Sequence, residues 1–203
     1  ILVFSCLKSK CYTILRLFFL LLQLQIILIK MIGIDHLAEF TDGIPKIRRS
    51  ASYRTSTHKG EFDPNSNRIE ELTAMKMFNL CQTGERYAKV GKILDYQVPL
   101  KNKQSDQAGK IDLLAYDGSI LRVLELKKPD TQETMLRCVL EGYTYLRTVD
   151  TVKLTEDFDI PANTPVKASP FVFENSLPHQ EYLDQRPNLK KLMDLLDSEP
   201  FFI

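Results

Sequence analysis

The chain has 203 residues, 44% of them hydrophobic and 26% charged, an ordinary globular composition with length enough for one domain and a sizeable core. A formal net charge of +1 gives no general argument for a polyanion partner; residues 1–60 hold nine Lys plus Arg against three Asp plus Glu, and the rest holds 18 against 23, so any phosphate contact must come from local basic patches. Cys6, Cys11, Cys81 and Cys138, with His36, His58 and His179, lack the spacing of a zinc site or disulfide framework, and a reducing cytoplasm is the expected location.

Residues 1–30 form a hydrophobic leader. Ile14 to Ile29 is almost continuous Leu, Ile and Phe, interrupted by Arg16, Gln23 and Gln25, which makes it short and polar for a membrane span, and no Ala-x-Ala-like site follows it. A membrane anchor, with a function unrelated to the rest of this reading, competes with an unusual signal sequence and with residues foreign to the natural protein. The change of character at Met31 favours a start there, and a membrane is unexpected unless residues 1–30 are genuine. Residues 31–66 read as a polar basic N-terminal arm carrying Lys46, Arg48, Arg49, Arg54 and Lys59. Such an arm can touch phosphates, although a plain solvated leader is the preferred explanation.

The domain expected over 67–203 begins with a helix from about Arg68 to Gln82, its apolar stripe being Ile69, Leu72, Met75 and Phe78. Glu71 projects within that stripe and needs a partner; Glu70 projects off it. Lys92–Leu100 reads as the first strand, followed by a polar connection whose Lys101, Lys103 and Lys110 are candidate phosphate contacts. Lys110–Lys128 then reads as two strands joined at Asp117-Gly118, the strongest short hairpin signal. Asp112 interrupts the first of them, and Glu125 and Lys127 flank Leu126 in the second, two residues apart and therefore on one face. Taken alone, these charges also suit the solvent face of an edge strand with Leu124 and Leu126 turned inward.

Asp130 and Glu133 make a capping-box pattern for a helix over Thr131–Thr148, with Met135, Leu136, Val139, Leu140, Tyr143 and Leu146 inward and Arg137, Glu141 and Tyr145 along another face. An Arg137–Glu141 surface pair is the simple reading of that second face. Thr151–Asn163 reads as a loop and Val166–Phe173 as a strand at an edge or bulge because of Pro170. A last helix over Asn188–Leu196 would turn Leu189, Leu192, Leu195 and Leu196 inward, and Phe201–Ile203 would form a short closing strand.

An Asp on one strand, a hairpin, Glu-x-Lys ending the next strand and then a helix resembles the PD-(D/E)XK, or restriction-endonuclease-like, nuclease superfamily. The resemblance covers roughly Asn67 to Phe173 and implies an α/β fold with an α-β-β-β-α-β core, a central mixed sheet flanked by helices. The Pro129-Asp130 pair is a decoy, since the motif's first acid lies upstream and corresponds to Asp112, here preceded by Ile111. The resemblance implies a divalent-metal-dependent nuclease, acting on DNA in the leading reading, with Asp112, Glu125 and Lys127 catalytic. Asp112, Glu125 and the backbone carbonyl of Leu126 would hold Mg²⁺ or Mn²⁺, with Glu71, or Glu70 as the alternate, as a further acid from the first helix. Two carboxylates suit a hard cation, which promotes phosphodiester hydrolysis by supplying a nucleophile and stabilising phosphoryl charge. Glu141 and Tyr145 match the spacing of a Gln-x-x-x-Tyr element found in some of these nucleases, with Glu in place of Gln. A homodimer or a specificity partner would serve double-strand cutting or sequence choice. The alternative from another class is an inactive nuclease-fold module that binds nucleic acid or a partner.

Overall fold

The computed structural model describes residues 36–55, 68–102, 106 and 108–203. The leader and its competing readings lie outside these residues, as does Lys103; among the described residues no helix is long and apolar enough to cross a membrane. The chain divides into two compact units, Ile1–Gly43 and Ile44–Ile203. The described part of the first carries one short helix, α1 (Leu37–Asp42), where the His36 ring bonds the Glu39 carboxylate at 2.8 Å.

In the second unit the order is α2 (Ile69–Gln82), β1 (Lys92–Pro99), β2 (Lys110–Tyr116), β3 (Leu121–Leu126), α3 (Met135–Thr148), α4 (Thr151–Asp157), β4 (Val166–Val172), α5 (Leu177–Leu183), α6 (Pro187–Leu195) and β5 (Phe201–Phe202). It is an α/β fold built on one mixed five-stranded sheet in the order β1-β2-β3-β4-β5. The β1/β2 and β2/β3 pairs are antiparallel, and β3/β4 and β4/β5 are parallel. All six residues of β3 are buried because it lies in the middle of the sheet with β2 and β4 on its sides.

Two apolar clusters sandwich the sheet. Ala74, Met77 and Cys81 of α2 pack with Leu113, Ala115, Leu124, Leu126 and Phe171. Leu114, Leu121 and Val123 pack with Tyr53, Val149, Leu154 and Phe158 in the other. On β3, Leu124 and Leu126 therefore alternate with Leu121 and Val123, and Glu125 belongs by register to the second face.

Several local expectations are corrected. The hairpin turn has four residues rather than two, Tyr116 pairing with Leu121 while the Asp117 carboxylate accepts from the N–H groups of Ser119 and Ile120, both at 2.8 Å. Helix α3 starts at Met135, not Thr131: Thr134 is its N-cap and accepts from Arg137 N–H at 3.3 Å, while Asp130 is exposed and pairs with Lys128. The buried Glu181 of α5 accepts from Met135 N–H at 2.8 Å, a cap delivered from a distant part of the chain and invisible to local pattern. The loop expected over 151–163 contains α4, capped by Asp150, and α5 also forms where no element was expected.

Pro170 pairs with Glu125 of β3 on one side, and on its other side β4 is an open edge among the described residues, because β5 joins only from Phe171 onward, so the missing N–H interrupts no ladder bond. On α6, Leu192, Met193 and Leu196 are buried and Leu195 is exposed. The basic arm differs most. Over residues 44–55 it is fastened to the domain: Tyr53 is fully buried, its N–H donates to Asp157 and its hydroxyl accepts from Asp150 N–H, and Ile47 N–H donates to the Thr148 carbonyl at 3.0 Å.

Candidate functional site

The ladder pairing of Leu113 with Leu124 places Asp112 and Glu125 next to each other where β2 meets the end of β3. Neighbouring like charges on paired strands repel, so this pair is held by its surroundings. Asp112 Oδ2 accepts from the backbone N–H of Leu126 at 3.1 Å and Oδ1 accepts from Gln97 Nε2 at 3.0 Å. Helix α3 covers Glu125 closely at Gly142, where an added Cβ would lie 3.5 Å from the Glu125 Cβ.

Lys127 follows directly and is only 5% exposed, against 3% for Glu125, which overturns the solvent-face reading of Glu-x-Lys. Its ammonium is enclosed by carboxylates: Glu125 Oε1 at 2.8 Å, Glu133 Oε2 at 2.6 Å and Glu141 Oε2 at 2.8 Å. Taking a lysine out of water costs several kcal/mol, and these partners offset it. Burial lowers the Lys127 pKa, but Glu125 and Glu141 raise it by more, and the net position is well above the usual lysine range. Lys127 is therefore a fixed positive charge in this arrangement, not a base.

The acids respond in the opposite sense. Burial pushes Asp112 up to about 7, with Lys127 and the Leu126 N–H opposing and Glu70 adding to the rise. Burial and Asp112 together hold Glu125 well above the carboxylate range. Glu141 is raised by burial but lowered further by Lys127, and it is lowered overall. Glu125 Oε2 is buried and has no hydrogen-bond partner among the described residues.

No protein-family model matches the chain, and neither a curated protein nor a solved structure matches it.

Of the expected site residues, Asp112, Glu125, Lys127 and Glu141 come together. Arg137 does pair with Glu141, Nε to Oε1 at 2.8 Å, but Glu141 holds Lys127 with its other oxygen, so the simple surface pair is one side of a larger network. Burial, with Glu125 and Glu141 nearby, raises the Tyr145 hydroxyl, and the ring packs on Gly109, where an added Cβ would lie 3.0 Å from Cε1. Lys110 is exposed, Lys101 is half-buried, and the backbone carbonyl of Lys101 accepts from Arg49.

Glu70, the alternate, is the helix acid nearest the pair: its Oε1 accepts from Lys128 N–H at 3.2 Å and its charge acts on Asp112. Glu71 pairs instead with Arg68 at 3.1 Å. The expected stripe holds in part: Met75 is buried and Leu72 and Phe78 pack half-buried on the core, but Ile69 is 48% exposed. The helix also buries Ala74, Met77 and Cys81, and Glu70 continues that row at spacings of four, three and four. Reading that row beside the expected stripe would have selected Glu70.

Gln97, Glu133 and Cys138 were not anticipated. Cys138 is buried beside the cluster, with burial raising its thiol pKa. Gln97 adopts φ +50° in the middle of β1, a conformation that costs a non-glycine residue about 1 kcal/mol, and it does so where its amide holds Asp112. Nothing in the pattern of a strand announces a left-handed residue within it.

Asp112, Gln97, Glu70 and Glu133 line a cleft of about 660 Å³ with Arg68 and Lys128, so the acids are approachable from solvent. Among the described residues no three or more His, Cys, Asp or Glu side chains form a metal-binding group. Mg²⁺ does not require one, since it commonly uses one or two protein carboxylates. The unpartnered Oε2 of Glu125 and the burdened Asp112 carboxyl fit such an ion, because a divalent charge relieves both.

Proposed function

We propose that this chain is a divalent-metal-dependent nuclease that hydrolyses phosphodiester bonds, with DNA as the favoured substrate and a restriction-endonuclease-like core. The observation that carries it is the bond from Leu126 N–H to Asp112, with Glu125 and Lys127 on either side of Leu126 and joined at 2.8 Å. One backbone position thereby assembles two acids and one cation.

In this reading Asp112, Glu125 and the Leu126 carbonyl hold Mg²⁺ or Mn²⁺, with Glu70 in preference to Glu71 as the further acid. The bound ion supplies a nucleophile near neutral pH and stabilises charge on the phosphoryl group. Gln97 orients the Asp112 carboxylate through the amide bond to Oδ1. Lys127, kept protonated by its acidic cage, presents positive charge to the phosphate, and Glu141 fixes its position. Glu133 is the most exposed carboxylate on Lys127 and lies ahead of the helix, which makes it the partner that an incoming phosphate displaces. Lys101, Lys103 and Lys110 remain candidate phosphate contacts, and a homodimer or specificity partner remains part of the proposal.

A second reading, an inactive nucleic-acid- or partner-binding module, is favoured by the saturation of Lys127 with three carboxylates. Cleavage of labelled single- and double-stranded DNA and RNA with Mg²⁺, Mn²⁺ or EDTA separates the two. Metal-dependent cutting that disappears in folded Asp112→Asn and Lys127→Gln proteins supports the nuclease; absence of cutting together with absence of Mn²⁺ binding in calorimetry supports the module.

A further inference from the structure

A cleft of about 450 Å³ at the C-terminal end of α3 is lined by Lys46, Arg48, Tyr143, Arg147 and Asp150. The 3.0 Å bond from Ile47 N–H to the Thr148 carbonyl sets Lys46 and Arg48, on either side of Ile47, against the turn that carries Arg147. These three cations have no ion pair or side-chain hydrogen bond among the described residues, and Arg147 Nε is buried without a partner. The contrast with other basic residues is clear: Arg54 is paired with Asp159, Arg68 with Glu71, and Lys153 with Asp157. Asp150, the carboxylate of the cleft, has Oδ1 engaged by the Lys153 N–H in capping α4.

The partial negative charge at a helix C-terminus favours a cation there and accounts for Arg147, but not for two further cations delivered by a separate segment. Three cations against the single Asp150 carboxylate leave an excess of positive charge at one opening, which a bound anion would offset.

We propose that this cleft grips the phosphate backbone of the nucleic acid cut at the Asp112–Glu125–Lys127 site; it rests on the nuclease reading. Arg147 lies six residues beyond Glu141 on α3, about 9 Å along the helix axis and on another side of it. A duplex carries one negative charge per ~1.7 Å of its length, so a few base pairs span that rise. The cleft supplies the local basic patch that a unit without net positive charge, 23 Lys plus Arg against 23 Asp plus Glu over residues 44–203, needs in order to hold a polyanion.

The test is binding of labelled duplex DNA by the full chain in EDTA, measured by anisotropy as a function of salt. Lys46→Gln/Arg48→Gln is compared with the charge-matched Lys190→Gln/Lys191→Gln on α6. All four residues are exposed, and thermal melts confirm that both double variants are folded. Each lost phosphate contact flattens the plot of log K against log salt by about 0.9. The cleft variant is expected to lose about 2 from the slope and tenfold or more in affinity at low salt, the control almost nothing. Equal effects in the two variants, or no DNA binding by the native chain, overturn the proposal. If the native chain cuts DNA and the cleft variant keeps its slope, the cleft falls and the nuclease stands. If the slope changes as expected but no metal supports cutting, the nuclease falls and the cleft stands as a binding site.

Discussion

Strand β3 buries charge at both ends, and the two ends are built on opposite principles. At the hairpin end Arg122, 7% exposed, pairs with Asp117 and lies over the Phe201 ring at 5.1 Å. Burial raises the Asp117 carboxyl, but the Ile120 and Ser119 N–H groups, the Ser119 hydroxyl and Arg122 lower it by more, leaving it below the usual carboxylate range. Every partner there is satisfied. At the other end Asp112 and Glu125 are both raised, and an oxygen of Glu125 is left unpartnered. The first end is what a fold does with charge it must bury. The second keeps acids in a costly state, which is the arrangement expected of a site awaiting a cation.

The largest expected effect tests the function of the second end. Asp112→Asn and Lys127→Gln should lower metal-dependent cleavage by roughly 10³-fold or more, whereas Arg122→Met should leave the rate per folded molecule unchanged. Equal losses at the two ends would break the comparison.

Stability should change in opposite directions. Arg122→Met removes one partner of the exposed Asp117, which keeps its Ser119 and Ile120 donors, and should cost about 1 kcal/mol in denaturant unfolding. Asp112→Asn should raise stability at pH 8 without metal by about 1 kcal/mol, since it removes a carboxylate that folding disfavours. The Gln97 amide can turn its carbonyl toward the new Asn N–H, so both hydrogen bonds survive the change.

The pH profile sharpens this further. Asp117 is depressed, so it contributes stability above the ordinary carboxylate pKa that is lost as pH falls through the acid range. Asp112 is raised from 3.8 to about 7: the folded state keeps a proton that the unfolded chain has released, and its contribution declines as pH rises between those values. Melting temperatures with and without Mn²⁺ should therefore diverge more at pH 8 than at pH 5, and Asp112→Asn should abolish the divergence.

A smaller effect concerns orientation. Gln97→Gly relieves the left-handed backbone while removing the amide from Asp112, so stability should stay within about 1 kcal/mol of the native chain. Cleavage should fall about tenfold and Mn²⁺ affinity should weaken in calorimetry. The smallest difference separates the helix acids: Glu70→Gln should weaken Mn²⁺ binding a few-fold, and Glu71→Gln should not.

The elements legible from sequence were those whose signal is local. The helix 68–82, the strands 92–100 and 110–128, the strand from Val166 and the closing Phe201-Phe202 all announced themselves by periodicity or turn chemistry. The start of α3 did not, because Thr131 to Thr134 have ordinary helix-compatible chemistry and the N-terminal N–H of Met135 is satisfied by Glu181, 46 residues away. Helices α4 and α5 are seven residues each, too short for a pattern to stand out from a loop.

For the site, spacing alone put Glu125 and Lys127 on one face, since alternation in a strand is a property of the covalent backbone. The resemblance added Asp112, and the structure sets it beside Glu125. Whether those charges faced water or protein depended on β4 pairing with β3 and α3 closing over Glu125 at Gly142, contacts between segments far apart in the chain. The choice of Glu70, the bond from Gln97 and the cage around Lys127 have the same origin. Local sequence determines which face a side chain takes; only tertiary packing decides what stands opposite it, and with that its solvation, its partners and its charge.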